Sequence, residues 1–156
     1  MKRWTLLITL LLPLEAKAAE VRVDRYDKGF NAAADKVGAP FRINPPDCHE
    51  RTCNYVGNHG ISVATAAPAA GRNLNDSVIR VPLSVSNIEF ASILLATLGM
   101  FSPDHSDAAR ATFAQTLSAQ LVRDKARAEG RLGGWIYVLR LDPGERWRVI
   151  VRKPDA

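Results

Sequence analysis

SNIEFASILLATLGMF, residues Ser86 to Phe101, is the most apolar run beyond the first eighteen residues, and its reading decides the fold. Ser86 followed three residues later by Glu89 has the form of a capping box, in which each residue satisfies a backbone N–H that the helix start leaves unpaired. Gly99 can take the left-handed conformation in which helices commonly end. Between them Ile88, Phe90, Ala91, Ile93, Leu94, Leu95, Ala96 and Leu98 occupy nearly every side of a helix, so more than one face needs cover. At about 14 residues it is roughly 21 Å long, short of the ~20 residues that span a bilayer. A central buried helix follows, with the rest of the chain packed around it.

Upstream, Tyr26, Phe30, Ala33 and Val37 recur at helical spacing within 24–37, with Gly38 and Pro40 beyond. Phe41 and Ile43 alternate with Arg42 as in a short strand, which Asn44-Pro45-Pro46 breaks. Segments 52–56 and 61–65 flank Gly57-Asn58-His59-Gly60 and predict a hairpin. In its simplest register Val56 faces Ile61 and Cys53 faces Ala64, which puts Val56, Ile61, Val63 and Asn54 on one face. Residues 66–76, rich in Ala, Pro, Gly and Asn without a period, predict an exposed loop. Val78, Ile79, Val81 and Leu83 form the next strand, and Pro82, which lacks an N–H, points to an edge position or an early end.

Downstream, Ser102-Pro103 has the order of an N-cap followed by an N1 proline, with Asp104 and Asp107 near the positive helix end. Ala109, Phe113, Leu117 and Leu121 supply one apolar stripe. Arg123, Lys125, Arg127 and Arg131 crowd the far end beside Gly130, and His105 falls in an exposed first turn. A second hairpin runs from Trp135 to Leu141, turns at Asp142-Pro143-Gly144-Glu145, and returns over Arg146 to Arg152. Its last strand alternates Trp147, Val149 and Val151 with arginines, one face buried and the other basic. Segregated runs of strands and helices predict one α+β domain over 19–156. It has an antiparallel sheet of five to six strands, including two hairpins, packed on the central helix and a second amphipathic helix.

The chain has 156 residues, 47% of them hydrophobic, which suits one core. Lys2 and Arg3, the apolar Trp4 to Leu14, and Ala16-Lys17-Ala18 read together as a secretory signal peptide over 1–18, cut before Ala19. Pro13 and Glu15 interrupt the apolar run and argue against an anchoring helix, so no integral membrane segment is expected after leader removal. Removal lowers the formal charge from +5 to about +3. Export favours a disulfide between Cys48 and Cys53. A zinc site built from both cysteines with His49 or His59 lacks a second ligand pair at recognisable spacing, and no C-x-x-C motif marks a redox centre.

No catalytic constellation, metal site or cofactor is legible. Trp135, Tyr137 and Trp147 fall at strand spacing that core packing explains, and export is the wrong setting for nucleic acid. The best contact surface is the basic sheet face of Arg140, Arg146, Arg148 and Arg152, with Lys153 just beyond. The sequence therefore suggests a periplasmic or secreted, non-catalytic binding protein, an accessory, inhibitor or immunity-type factor for another envelope protein. One alternative is a small hydrolase or metal-dependent enzyme using His49, His59 and carboxylates such as Glu50. Another is a structural subunit of an envelope assembly.

Overall fold

A computed structural model describes residues 18–68, 71–124, 127–142 and 146–154. Nearly all of the leader, the Pro143-Gly144-Glu145 turn, Lys125 and part of the 66–76 loop lie outside those residues. The described chain forms α1 (Tyr26–Lys36), β1 (Asp47–His49), β2 (Thr52–Val56), β3 (Ser62–Ala66) and β4 (Asp76–Pro82). It continues through α2 (Asn87–Phe101), α3 (Asp107–Arg123), β5 (Arg127–Leu132), β6 (Trp135–Asp142) and β7 (Arg146–Arg152). The strands make one antiparallel sheet in the order β1-β2-β3-β4-β7-β6-β5, so the protein is α+β as the sequence suggests. The sheet has seven strands rather than five to six.

β5 and β1 account for the difference. Residues 127–132 look like the basic tail of a helix because their inward positions, Ala128 and Gly130, are small. α3 ends at Arg123, and Arg127, Glu129 and Arg131 instead alternate outward along a strand paired with β6. A Cβ at Gly130 would lie 2.8 Å from the Phe113 ring, so the glycine is what lets α3 sit directly on this strand. Gly133 and Gly134, with φ of 58° and 76°, then close a two-residue hairpin of the kind that needs positive φ at both central residues.

The three helices lie on one face of the sheet. Phe101 at the end of α2 meets Trp135 edge-on with ring centroids 4.8 Å apart, Phe90 meets Trp147 at 5.2 Å, and Phe113 meets Tyr137 at 5.5 Å. Tyr26 of α1 reaches Tyr55 of β2 at 5.6 Å, so the core runs the width of the sheet. The capping box of α2 is present, Ser86 and Glu89 bonding each other's backbone, and the Ser86 hydroxyl and N–H, both donating to the Glu89 carboxylate, lower its pKa. Gly99 does not end the helix, which continues to Phe101 because Phe101 is buried and Gly99 sits beside Ala33 of α1. Nor is the helix covered all round: Ile88 is 85% exposed.

Other expectations change for local reasons. Ser102 does not cap α3; its hydroxyl lies 2.7 Å from the Tyr137 hydroxyl and donates to the Leu132 carbonyl. Ser106 takes the N-cap, accepting from Ala109 N–H, which leaves His105 before the helix and half-buried. Phe41 to Ile43 is extended but makes only an isolated bridge to Gly57, and side-chain amides replace a neighbouring strand: Asn31 brackets the Ile43 backbone at 3.0 Å on both atoms, and Asn58 accepts from Arg42 N–H. The β2–β3 register is Val56 with Ser62 and Tyr55 with Val63, one residue from the simplest pairing. That slip exchanges faces: Cys53, Tyr55, Val63 and Thr65 are buried and Val56 is exposed. Within the 66–76 loop Leu74 is fully buried and its N–H bonds Val21. β4 ends at Pro82 as expected, although it lies inside the sheet.

Candidate functional site

The sheet face opposite the helices is open: among the described residues no helix lies over it. Strand alternation and register decide what it carries. The pairs Arg127–Arg140, Arg140–Arg148 and Arg148–Arg80 line up across β5, β6, β7 and β4, so four arginines stand abreast on four adjacent strands. At the usual strand spacing the row spans roughly 14 Å. Arg131 and Arg152, with Ile136 between them, lie in a parallel row four residues along, and Arg146 stands two residues to the other side, opposite Asp142. The structure thus brings Arg140, Arg146, Arg148 and Arg152 to one face, as the alternation of the last hairpin predicts. Arg80, Arg127 and Arg131 join them through pairings that the linear sequence does not reveal.

Three carboxylates share this face. Asp142 sits between Arg140, at 3.2 Å, and Arg148, and Glu129 pairs with Arg127 at 2.7 Å. Asp76 stands opposite Arg152 without an ion pair to it. Arg80, Arg131, Arg146 and Arg152 make no ion pair among the described residues. Like charges directly opposite on antiparallel strands destabilise by roughly 0.2–1 kcal/mol per pair. Asp142 offsets the middle of the row and Glu129 its Arg127 end, which leaves Arg80 as the row's arginine without an ion pair among the described residues.

The other candidate residues are dispersed. Cys48 and Cys53 are disulfide-bonded and directly opposite on β1 and β2, with Cα atoms 4.1 Å apart, so no cysteine is free to ligate or react. The bridge ties exposed β1 to a buried position of β2. Closing so short a loop is worth about 2 kcal/mol in the chain-entropy account. Cys48→Ala/Cys53→Ala is expected to lose about that much in denaturant unfolding, with amide exchange rising first in 47–49; an unchanged midpoint would contradict it.

His49 stands 3.7 Å from Asp47 with both side chains largely in solvent. His59 lies at the turn beyond the other end of β2, its ring against Phe41, with about 13 Å of strand intervening. Glu50 lies in the β1–β2 turn with His49, so the two histidines do not share a site. Among the described residues no three His, Cys, Asp or Glu side chains gather in a metal-binding group, and no helix is long and apolar enough to cross a membrane. A groove of about 510 Å³ between the helices is lined by Gly29, Ala33, Gly99 and Met100, and two of its charges engage each other, Arg110 with Asp107, Arg110 also reaching the Ser102 and Pro103 carbonyls. No family model, curated protein or solved structure matches this chain.

Proposed function

We propose that this is an exported, non-catalytic binding protein that acts on another envelope protein, as an accessory, inhibitor or immunity-type factor, by presenting its arginine face to an acidic surface. The observation that carries this reading is the row Arg127, Arg140, Arg148, Arg80 across the open sheet face. A protein interior gains nothing from such a row, and the face as a whole is net positive, since its carboxylates Asp76, Glu129 and Asp142 are outnumbered by Arg80, Arg127, Arg131, Arg140, Arg146, Arg148 and Arg152. An acidic partner converts the mutual repulsion into attraction, speeds encounter and sets orientation. The planar guanidinium, with its fork of donors, suits bidentate contacts to carboxylates. The apolar leader-like residues and the disulfide support export.

The test separates binding from folding. Arg80→Thr/Arg148→Thr relieves like-charge contacts and places β-branched residues on interior strands, while Asp142 loses Arg148 but keeps Arg140, so its thermal midpoint is expected to stay close to that of the parent. Native mass spectrometry of protein recovered from the periplasm after mild crosslinking is expected to show a chain beginning at Ala19, oxidised, with an acidic protein attached. The double variant is expected to lose at least about 90% of that complex, and salt to weaken it progressively. Equal recovery with both proteins would rule out the arginine face, and recovery with residues 1–18 intact would rule out the processing.

A further inference from the structure

The sheet ends at β5, and only β6 pairs with that strand, so Arg127 to Leu132 carry one free side. The Gly133-Gly134 turn decides which backbone groups point there. Residues flanking a two-residue hairpin turn form a hydrogen-bonded pair, and such pairs recur every second residue along the ladder. Leu132, Gly130 and Ala128 therefore direct their N–H and C=O groups to β6, while Arg127, Glu129 and Arg131 direct theirs outward. One bond fixes the sense: the Glu129 N–H donates to Oε1 of Gln120 on α3 at 3.3 Å. The outward groups of Arg127 and Arg131, and the Glu129 carbonyl, have no hydrogen-bond partner among the described residues. β1, at the opposite edge, is only three residues long, and short edge strands deter pairing.

Side chains decide which strand such an edge accepts. Arg127, Glu129 and Arg131 are exposed on the open face, and Glu129 pairs with Arg127 at 2.7 Å, which leaves Arg131 without an ion pair among the described residues. A second copy of this chain fits badly. Antiparallel pairing centred on Glu129 would set Glu129 against Glu129 and Arg127 against Arg131, like charges throughout. A strand with carboxylates across from both arginines, and a neutral residue across from Glu129, turns those repulsions into attractions. Its intervening residues would fall on the helix side, next to Ala128 and Gly130. There the half-buried Phe113 ring lies against Gly130 with Leu117 beside it, so apolar side chains suit those positions. The complement is an extended chain that reads acidic, apolar, neutral, apolar, acidic.

We propose that β5 takes an extended acidic segment of a partner protein as an added antiparallel strand. Main-chain bonds to Arg127, Glu129 and Arg131 hold the segment, and its carboxylates on the two arginines set the register. Gln120 Oε1 occupies the place of the added strand's carbonyl at Glu129, so this side chain swings aside on binding. The inference rests on the arginine-face reading for the acidic character of the partner. The contact itself is separate, because Arg148 and Arg80 stand two and three strands in from β5.

Amide hydrogen exchange of 15N-labelled protein tests this, with acetyl-Glu-Val-Thr-Val-Glu-amide as the probe and acetyl-Lys-Val-Thr-Val-Lys-amide as the control. In the free protein the amides of Arg127 and Arg131 are expected to exchange fast, while those of Ala128 and Gly130 are protected by β6. Saturating acidic peptide is expected to slow Arg127 and Arg131 at least about tenfold, and the lysine peptide to bind at least about tenfold more weakly. Arg131→Thr removes one charge and keeps the edge N–H, so it is expected to weaken the acidic peptide about two- to fivefold. Arg131→Pro removes the N–H as well, at an edge position where proline leaves the ladder to β6 intact, and is expected to abolish the protection of Arg127. Unchanged exchange at Arg127 and Arg131 under saturating peptide, equal affinity for the two peptides, or a proline variant that binds like the threonine variant would each overturn the proposal. The peptide is read on the purified chain and the arginine face on the periplasmic complex, so either result can fail alone.

Discussion

Trp135→Ala is expected to lower the unfolding free energy by about 3–5 kcal/mol and the thermal midpoint by roughly 10–20 °C. Trp135 is the largest fully buried side chain and sits at the start of β6, where the Gly133-Gly134 turn delivers it under the helices. Its ring meets Phe101 at 4.8 Å, Phe101 meets Tyr26 at 6.0 Å, and Tyr26 meets Tyr55 at 5.6 Å. That aromatic chain links β6, the end of α2, the start of α1 and β2, elements from both halves of the sheet. Removing its first member opens a cavity that Phe101 can fill only by abandoning Tyr26. Trp135→Phe is expected to cost less than half as much, because it keeps a ring against Phe101 and removes an indole N–H that is buried without a partner among the described residues. Denaturant unfolding at neutral pH measures both. A loss below 1 kcal/mol for the alanine variant would show that the chain of rings does not hold the two halves together.

How much of this was legible in the sequence depends on whether the signal was local. The capping box of α2, the apolar alternation of β7 and the early stop at Pro82 each follow from a few adjacent residues, and each is present. β5 was hidden because a strand whose inward residues are Ala128 and Gly130 has no hydrophobic alternation to read. The space they leave is filled by Phe113 and Leu117, from an element the chain has already left. Ser102 has the sequence context of an N-cap, but the buried Tyr137 hydroxyl thirty-five residues away competes for it and wins. A buried hydroxyl without a partner costs more than an exchange of caps.

The arginine face was half legible for the same reason. Arg140, Arg146, Arg148 and Arg152 belong to one hairpin, and the alternation of its last strand turns Arg146, Arg148 and Arg152 outward beside Arg140 on the neighbouring strand. Arg80 and Arg127 enter only because β4 and β5 pair with the two strands of that hairpin, and no local pattern announces either pairing. The sidedness of the first hairpin was illegible for a further reason: it turns over one more residue than its glycines suggest, and the faces of β2 and β3 depend on that single step.

The second large effect is expected in alkali. The chain has three tyrosines, Tyr26, Tyr55 and Tyr137, and all three are buried. Burial pushes the Tyr55 hydroxyl up to about 12. It raises those of Tyr26 and Tyr137 further, against the opposing pull of their bonds to Ser77 and Ser102. An unfolded tyrosine ionises near 10. Below pH ~10 both states hold the proton and the full stability is present; above it the unfolded chain releases protons that the folded chain keeps, so stability falls as pH rises. Each tyrosine still protonated in the fold contributes a slope of up to about 1.4 kcal/mol per pH unit. Three together remove up to about 8 kcal/mol within two units, which exhausts the lower half of an ordinary margin of 5–15 kcal/mol. Arginine stays charged over that range, so the open face does not confuse the reading. Tyrosinate absorbance is therefore expected to stay silent past pH 10 and then appear in one cooperative step that coincides with loss of secondary structure. Tyr55→Phe is expected to cost stability at pH 7, where Val23 loses the hydroxyl that donates to its carbonyl and Tyr26 N–H loses its acceptor, yet to make the alkaline limb shallower. A tyrosine that titrates near 10 while the secondary structure is intact would show that at least one of these rings reaches solvent in the folded protein.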